Sequence, residues 1–183
     1  LAHGLETILE AASRLQRRPD ASHIRLILLG DGASKQQLQV RARELGLRNL
    51  LFVDTVPKSE VVRWWSLLDV SIIHLRRTEL FSTVIPSKLF ECMGMGVPVL
   101  HGVAGESADI VTREGVGKVF EAENAAELES LLVEAASNDQ GLAKWRENCL
   151  DAARRYDRSA LADSMLTCLM LALGSSGHST RRK

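Results

Sequence analysis

The stretch Pro86-Ser87-Lys88-Leu89-Phe90-Glu91-Cys92-Met93-Gly94-Met95-Gly96-Val97-Pro98 sets a charged pair at the start of a short apolar helix, with a buried strand directly after it. Pro86 presets φ for a first helical position. Ser87 and Lys88 follow in the first turn, where unpaired backbone N–H groups attract anions. Glu91 comes three residues after Lys88, so both side chains share one helix face. The ammonium can reach a phosphate, and the carboxylate can accept hydrogen bonds from neighbouring hydroxyls. Gly94 and Gly96 end the helix, and Val97-Pro98-Val99-Leu100 reads as a strand. A ligand carrying both a phosphate and a sugar is the chemical suggestion. The same residues also fit an ordinary surface ion pair, which is common and contributes little.

Working outward, the chain alternates. Leu5, Ile8, Leu9, Ala12 and Leu15 give residues 4–17 the pattern of an amphipathic helix, stopped by Arg17-Arg18-Pro19-Asp20. Ile24 to Leu29 is a buried strand running into Gly30-Asp31-Gly32, and a second helix with Leu38, Val40, Ala42 and Leu45 ends at Gly46. Leu50 to Val53 is a short strand, and Ser59 is placed to cap a helix through Leu68. Asp69 opens the strand Val70–Leu75, which leads through the charged loop Arg76-Arg77-Thr78-Glu79 to the Pro86 helix. Strand 97–100, helix 106–114, strand 117–120 and helix 125–136 continue the alternation, and residues 139–173 add two helices. Such alternation predicts an α/β fold: a Rossmann-like parallel sheet with helices on both faces, binding ligands at the carboxyl ends of its strands. Residues 1–173 form the domain, and 174–183 read as a disordered tail.

Composition narrows the function. The chain has 183 residues, 45% of them hydrophobic, enough for one domain with a sizeable core. Its 23 basic and 23 acidic side chains cancel, which argues against a nucleic-acid partner. Cys92, Cys149 and Cys168 have no metal-site spacing and read as buried free thiols in a reducing, cytoplasmic compartment. No metal site is expected. The first residues lack an initiator Met and a signal-peptide pattern, so the chain reads as a piece of a longer protein. Its most apolar window, 165–173, is too short to span a bilayer; peripheral membrane association stays open.

Other constellations admit two readings each. Gly30-Asp31-Gly32 allows close approach to a bound group, or forms a tight turn capped by Asp31. The segment Phe52-Val53-Asp54-Thr55-Val56-Pro57-Lys58 lies at a strand end, where exposed backbone N–H and C=O groups can read a nucleobase edge. His74 points toward the same rim, where a structural role is the commoner one for a lone histidine. Trp64 and Trp65 read as core within an amphipathic helix. The loop Gly102-Val103-Ala104-Gly105-Glu106 closes over a ligand, or is a turn in which Glu106 stabilises a helix N-terminus.

Taken in order, Leu29-Gly30-Asp31-Gly32, Asp69-Val70, the Pro86–Pro98 stretch with Val99, and Gly105-Glu106 resemble the C-terminal, donor-binding half of family 4 glycosyltransferases. These are retaining enzymes of the GT-B fold. The resemblance covers about residues 3–170 and is nearest to bacterial enzymes of cell-surface polysaccharide and lipopolysaccharide assembly, including those that transfer N-acetylated aminosugars such as fucosamine. It implies that Glu91, matching the second glutamate of the family's Glu-x7-Glu motif, holds the ribose hydroxyls. Ser87, Lys88 and Leu89 occupy the helix start where the donor diphosphate rests, and Val56 matches the position whose backbone reads the base. His3-Gly4 replaces the family's phosphate-clamping Lys-Gly pair, so His3 is a weaker phosphate donor. The motif's first glutamate falls at Thr83, with Glu79 the nearest acid.

The implied substrate is a nucleoside-diphosphate sugar, with UDP-sugar expected, and no cofactor. The implied partners are an N-terminal acceptor domain of the same protein and, for the fragment alone, a second copy through its last apolar helix. The implied location is the cytoplasm, at the inner face of the membrane for the full enzyme. Catalytic residues are not identified by the resemblance, and the isolated piece is expected to transfer nothing. Two rivals remain at this level: a UDP-sugar 2-epimerase-like domain and a non-catalytic flavodoxin-like or receiver-type module.

Overall fold

A computed structural model describes residues 2–176. The elements are α1 (Glu6–Gln16), a 3-10 turn (Pro19–Ala21), β1 (Leu26–Leu29), α2 (Lys35–Glu44), β2 (Leu50–Val53), α3 (Lys58–Trp65), β3 (Ser71–His74), α4 (Glu79–Ser82) and α5 (Ser87–Gly94). They continue with β4 (Val99–Gly102), α6 (Glu106–Glu114), β5 (Gly117–Val119), α7 (Ala125–Ala136), α8 (Asp139–Arg155) and α9 (Arg158–Ser176). All pairing is parallel, and consecutive residues on a strand serve opposite layers. Leu100 of β4 joins Ile8, Leu15, Leu26 and Leu128 in a core under α1 and α7. Its neighbour Val99 joins Leu89, Met93, Val111 and Cys149 in a second core under α5, α6 and α8. Helices on both faces follow from that alternation, as expected.

The expected single sheet is divided. β1 pairs with β2, and β3, β4 and β5 pair in that order, but no ladder joins β1 to β3 among the described residues. Hydrophobic patterning records which face of a strand is buried. It does not record which edge is paired, so this break has no local signature.

Helix α5 explains itself most fully. Leu89, Cys92 and Met93 are wholly buried, each such side chain contributing about 2 kcal/mol of apolar burial. Phe90 meets the Tyr156 ring at 5.1 Å. At its end Gly96 takes φ +64, the left-handed value that a side chain resists. The Gly96 amide then donates to the Met93 carbonyl and the Val97 amide to the Cys92 carbonyl, at 3.0 and 2.9 Å. This turn uses Val97 and Pro98, so β4 begins at Val99 rather than at the expected 97.

Several other expectations are corrected. Pro86 is the cap residue with extended ψ 127, so Ser87 takes the first helical position. Ser59 does not cap α3: the helix starts at Lys58 after Pro57, putting Ser59 inside the first turn, and it ends at Trp65 instead of Leu68. Trp64 and Trp65 are half-buried, and α3 has no fully buried residue, because its apolar face lies over the gap between β1 and β3. Cys92 and Cys149 are buried, whereas Cys168 is exposed on α9. Burial pushes the Cys92 thiol up to about 11 and that of Cys149 to about 12. The short helix α4, capped by Thr78 accepting from the Phe81 amide, has too few residues to show helical periodicity, and its first residue, Glu79, falls in the expected charged loop. α9 continues through Ser176, into the stretch 174–183 expected as a disordered tail, and the rest of that stretch, residues 177–183, lies outside the described residues. No helix among the described residues is long and apolar enough to cross a membrane.

Candidate functional site

The carboxyl ends of β1 and β3 carry a polar rim. After β1, Gly30-Asp31-Gly32 turns tightly into the approach to α2. Asp31 Oδ1 accepts from the Gly32 amide at 2.8 Å, so it closes its own turn and does not cap α2, whose N-terminus has Ser34 and no side-chain cap. Lys35 Nζ donates to the Gly30 carbonyl at 2.7 Å and to Asp54 Oδ1 at 2.6 Å, tying this loop to the end of β2. That hydrogen bond holds the Asp54 carboxyl below its ordinary range. After β3, Arg76 Nη2 donates to Glu6 Oε2 at 3.1 Å. A cavity of about 340 Å³ lies between these loops, lined by His3, Gly4, the 30–35 turn and Arg76.

His74 is the hidden support of this rim. It is 4% exposed, stacked on Phe120, and accepts through Nε2 from the Glu123 amide at 2.9 Å. Its proton therefore sits on Nδ1, which donates to the His3 carbonyl at 2.6 Å. The expected structural role for this histidine holds: it fixes the backbone of residues 3–4 and leaves the His3 side chain exposed.

At α5 the amides of the first turn have no side-chain cap, so the positive end of the helix stays open to a ligand. Lys88 Nζ donates to Glu91 Oε2 at 3.1 Å and lies 5.4 Å from the centroid of the Trp65 ring. Both members of the pair are about half exposed, which leaves them free to exchange each other for a ligand. Lys88 and Pro86 line a second cavity, of about 300 Å³, together with His3, Trp64 and Trp65. Of the residues expected at the donor site, His3 thus borders both cavities, Lys88 borders the second, and Glu91 adjoins it through Lys88. Ser87 is exposed at the helix start. Leu89 is fully buried with its amide donating to the Pro86 carbonyl at 3.0 Å, so it supports the helix start from below. Val56 is half-buried after β2 and lines neither cavity.

Two cations on the rim escaped the sequence reading. Lys35 stands three residues after Gly32, so a strand, two glycines and a lysine were in sight but lacked a known phosphate-loop spacing. Arg76 lay in a stretch read only as charged loop. Thr83 ends α4, its hydroxyl donating to the Leu80 carbonyl at 2.9 Å, while Glu79 is exposed in the first turn of α4. The loop 102–106 is pinned at Gly105, where a Cβ would stand 1.9 Å from the Ser82 carbonyl oxygen at φ +81. Only glycine fits that approach.

The family model described as glycosyl transferases group 1 matches residues 2–155. A curated relative, the Vi polysaccharide biosynthesis protein VipC/TviE of Salmonella typhi, is 36% identical over 100 residues, which is 54% of this chain and 16% of the relative. The chain therefore spans a small part of that relative. Anabaena Alr3699/HepE, solved in complex with UDP-glucose, superposes with a TM-score of 0.74 at 20% identity, over 92% of this chain and 45% of that one. The C-terminal domain of the group 1 glycosyl transferase LpcC from Francisella tularensis gives 0.67 at 19% identity, over 85% and 80%. Parallel sheets flanked by helices thus recur in the C-terminal domains of GT-B enzymes, and this chain belongs to the group 1 glycosyltransferase family.

Proposed function

We propose that the chain is the donor-binding half of a retaining glycosyltransferase that takes a sugar, N-acetylated aminosugars included among the candidates, from a nucleoside diphosphate. The observation that carries this is the uncapped start of α5, where Lys88 and Glu91 stand beside a cavity that His3 also borders. Glu91 offers two acceptor oxygens to the cis-diol of a ribose, and Lys88 turns from Glu91 to the diphosphate. The amides of Ser87 and Lys88 add the positive end of the helix. His3 donates to a phosphate oxygen, and the backbone at Val56 reads the base. Arg76 and Lys35 raise the positive potential over the neighbouring cavity, where negative charge grows as the leaving diphosphate departs. No cofactor is required. The UDP-glucose complex of HepE supports UDP as the nucleotide, and the name of VipC/TviE supports a surface polysaccharide or its lipid-linked precursor as acceptor.

Acceptor binding and the remaining catalytic groups belong to an N-terminal domain of the longer protein, at the cytoplasmic face of the membrane. The 183-residue chain alone then binds nucleotide weakly and transfers no sugar. In isolation the exposed apolar side chains of α9, Met165, Leu169 and Leu173 among them, pair with a second copy. Calorimetric titration with UDP, GDP and ADP tests the core of this reading. Saturable binding of one nucleotide, weakened at least about tenfold in Glu91→Ala, is expected for a lost charged hydrogen-bond acceptor. Equal binding to the variant refutes the role of Glu91.

A further inference from the structure

Lys88 stands where a helix repels a cation. It is the second residue of α5, and the open N–H groups of that first turn carry the positive partial charge that ordinarily favours Asp or Glu. The turn has no acidic residue and its amides have no side-chain cap. An ammonium kept there has to be held by other groups, and two side chains hold it. Glu91 Oε2 accepts from Lys88 Nζ at 3.1 Å, one turn along the same helix. The Trp65 ring lies beneath the ammonium, its centroid 5.4 Å from Nζ.

The two holders differ in what they leave for a ligand. A carboxylate neutralises the ammonium and occupies one of its three N–H donors. An aromatic face attracts the cation through its quadrupole, with no net charge and no lone pair, so the ammonium keeps both its charge and its donors. Glu91 also has another task in the function proposed above: its oxygens go to the ribose diol, and Lys88 then loses that partner. The ring remains. It belongs to the last residue of α3, whose carbonyl end favours a nearby cation. It is half-buried and packs against the core that contains Leu89 and Met93 under α5, so the helix it serves is also the one that steadies it.

Pro86, Lys88, Trp65 and His3 border one cavity of about 300 Å³. We infer that Trp65 is a positioning residue for the donor: its ring holds the Lys88 ammonium at the start of α5, charged and with donors free for a diphosphate oxygen. This rests on the diphosphate role proposed for Lys88. Lysine gives up more rotamer freedom than most side chains when it is fixed. A contact that already restrains it in the free protein lowers what the ligand has to supply, which is how a residue that touches no substrate strengthens binding. An acid at position 65 would hold the ammonium too, but it would compete with the phosphate.

The test uses the 183-residue chain with Trp65→Leu, Trp65→Phe, Lys88→Met and the combination of Trp65→Leu with Lys88→Met. Without ligand, the ring current is expected to move the Lys88 ε-methylene protons upfield of ordinary lysine values, and Trp65→Leu returns them. In UDP titrations Trp65→Leu is expected to bind about two- to fivefold more weakly, as a half-exposed cation–π contact allows. Trp65→Phe restores most of the affinity, and Trp65→Leu costs nothing further once Lys88 is Met. Unshifted Lys88 protons in the native chain overturn the inference, as does native UDP affinity in Trp65→Leu. An equal loss with and without Lys88 also overturns it and makes Trp65 a structural residue. Failure of the nucleotide reading gives a different result: shifted Lys88 protons in a native chain that binds no UDP remove the diphosphate and, with it, the role of Trp65 toward it.

Discussion

His101 ties the stability of this domain to pH in a way that can be calculated. It lies on β4 with no exposed surface, its Nε2 hydrogen-bonded to Ser107 Oγ at 2.8 Å. Its Nδ1 has no partner among the described residues, so an imidazolium here would bury a charge with one donor unmatched. Burial accordingly lowers its pKa from 6.5 to about 4. The unfolded chain therefore binds a proton that the folded chain refuses between those values, and stability is lost as pH falls. At about 1.4 kcal/mol for each tenfold difference in proton affinity, the loss is about 3 kcal/mol, complete near pH 4.

For a domain of this size that corresponds to a fall of about 6–12 °C in melting temperature. Urea unfolding from pH 8 to pH 4, on the native chain and on His101→Gln, isolates the effect from that of the carboxylates. The difference in unfolding free energy between the two should be constant above pH 7 and shift by about 3 kcal/mol against the native chain by pH 4. Parallel pH curves for the two proteins would refute the reasoning.

Other consequences are simpler to check. Glu91→Ala should leave the melting temperature within about 2 °C of the native value, since a half-exposed pair three residues apart contributes only about 0.3 kcal/mol; a large drop would make Glu91 a structural residue. Gly105→Ala should cost about 2 kcal/mol or more, because the new Cβ meets the Ser82 carbonyl at a backbone angle that alanine resists, and thermal unfolding will show it. Under native conditions a maleimide should label Cys168 and spare Cys92 and Cys149, with all three labelled in denaturant. Sedimentation equilibrium should show the chain self-associating as concentration rises, and Met165→Lys with Leu169→Lys should abolish this; a monomer throughout removes α9 as a contact surface.

What the sequence disclosed and what it withheld have physical reasons. The Pro86–Pro98 stretch was legible because each signal is local: a proline before the helix, three apolar positions on one face, and a glycine where the chain must turn left-handed. The pairing of Lys88 with Glu91 followed from helical spacing alone. Strand order and the break between β1 and β3 were hidden, because edge pairing depends on segments far apart in sequence. Trp64 and Trp65 are half-buried for the same reason: their helix has an apolar face, but that face lies over the gap between β1 and β3. Lys35 and Arg76 reach the rim only through the return of β1 and β3 to a common edge, which no spacing rule records.

The central claim, that this rim receives a nucleoside diphosphate, is tested most directly by following the backbone amide resonances while UDP is added, a method suited to weak binding. The account predicts saturable shifts at Gly4, Ser87, Lys88 and Glu91, fading in Glu91→Ala. Shifts confined to the opposite end of the strands, around α7 and α8, or none up to millimolar UDP, would contradict it.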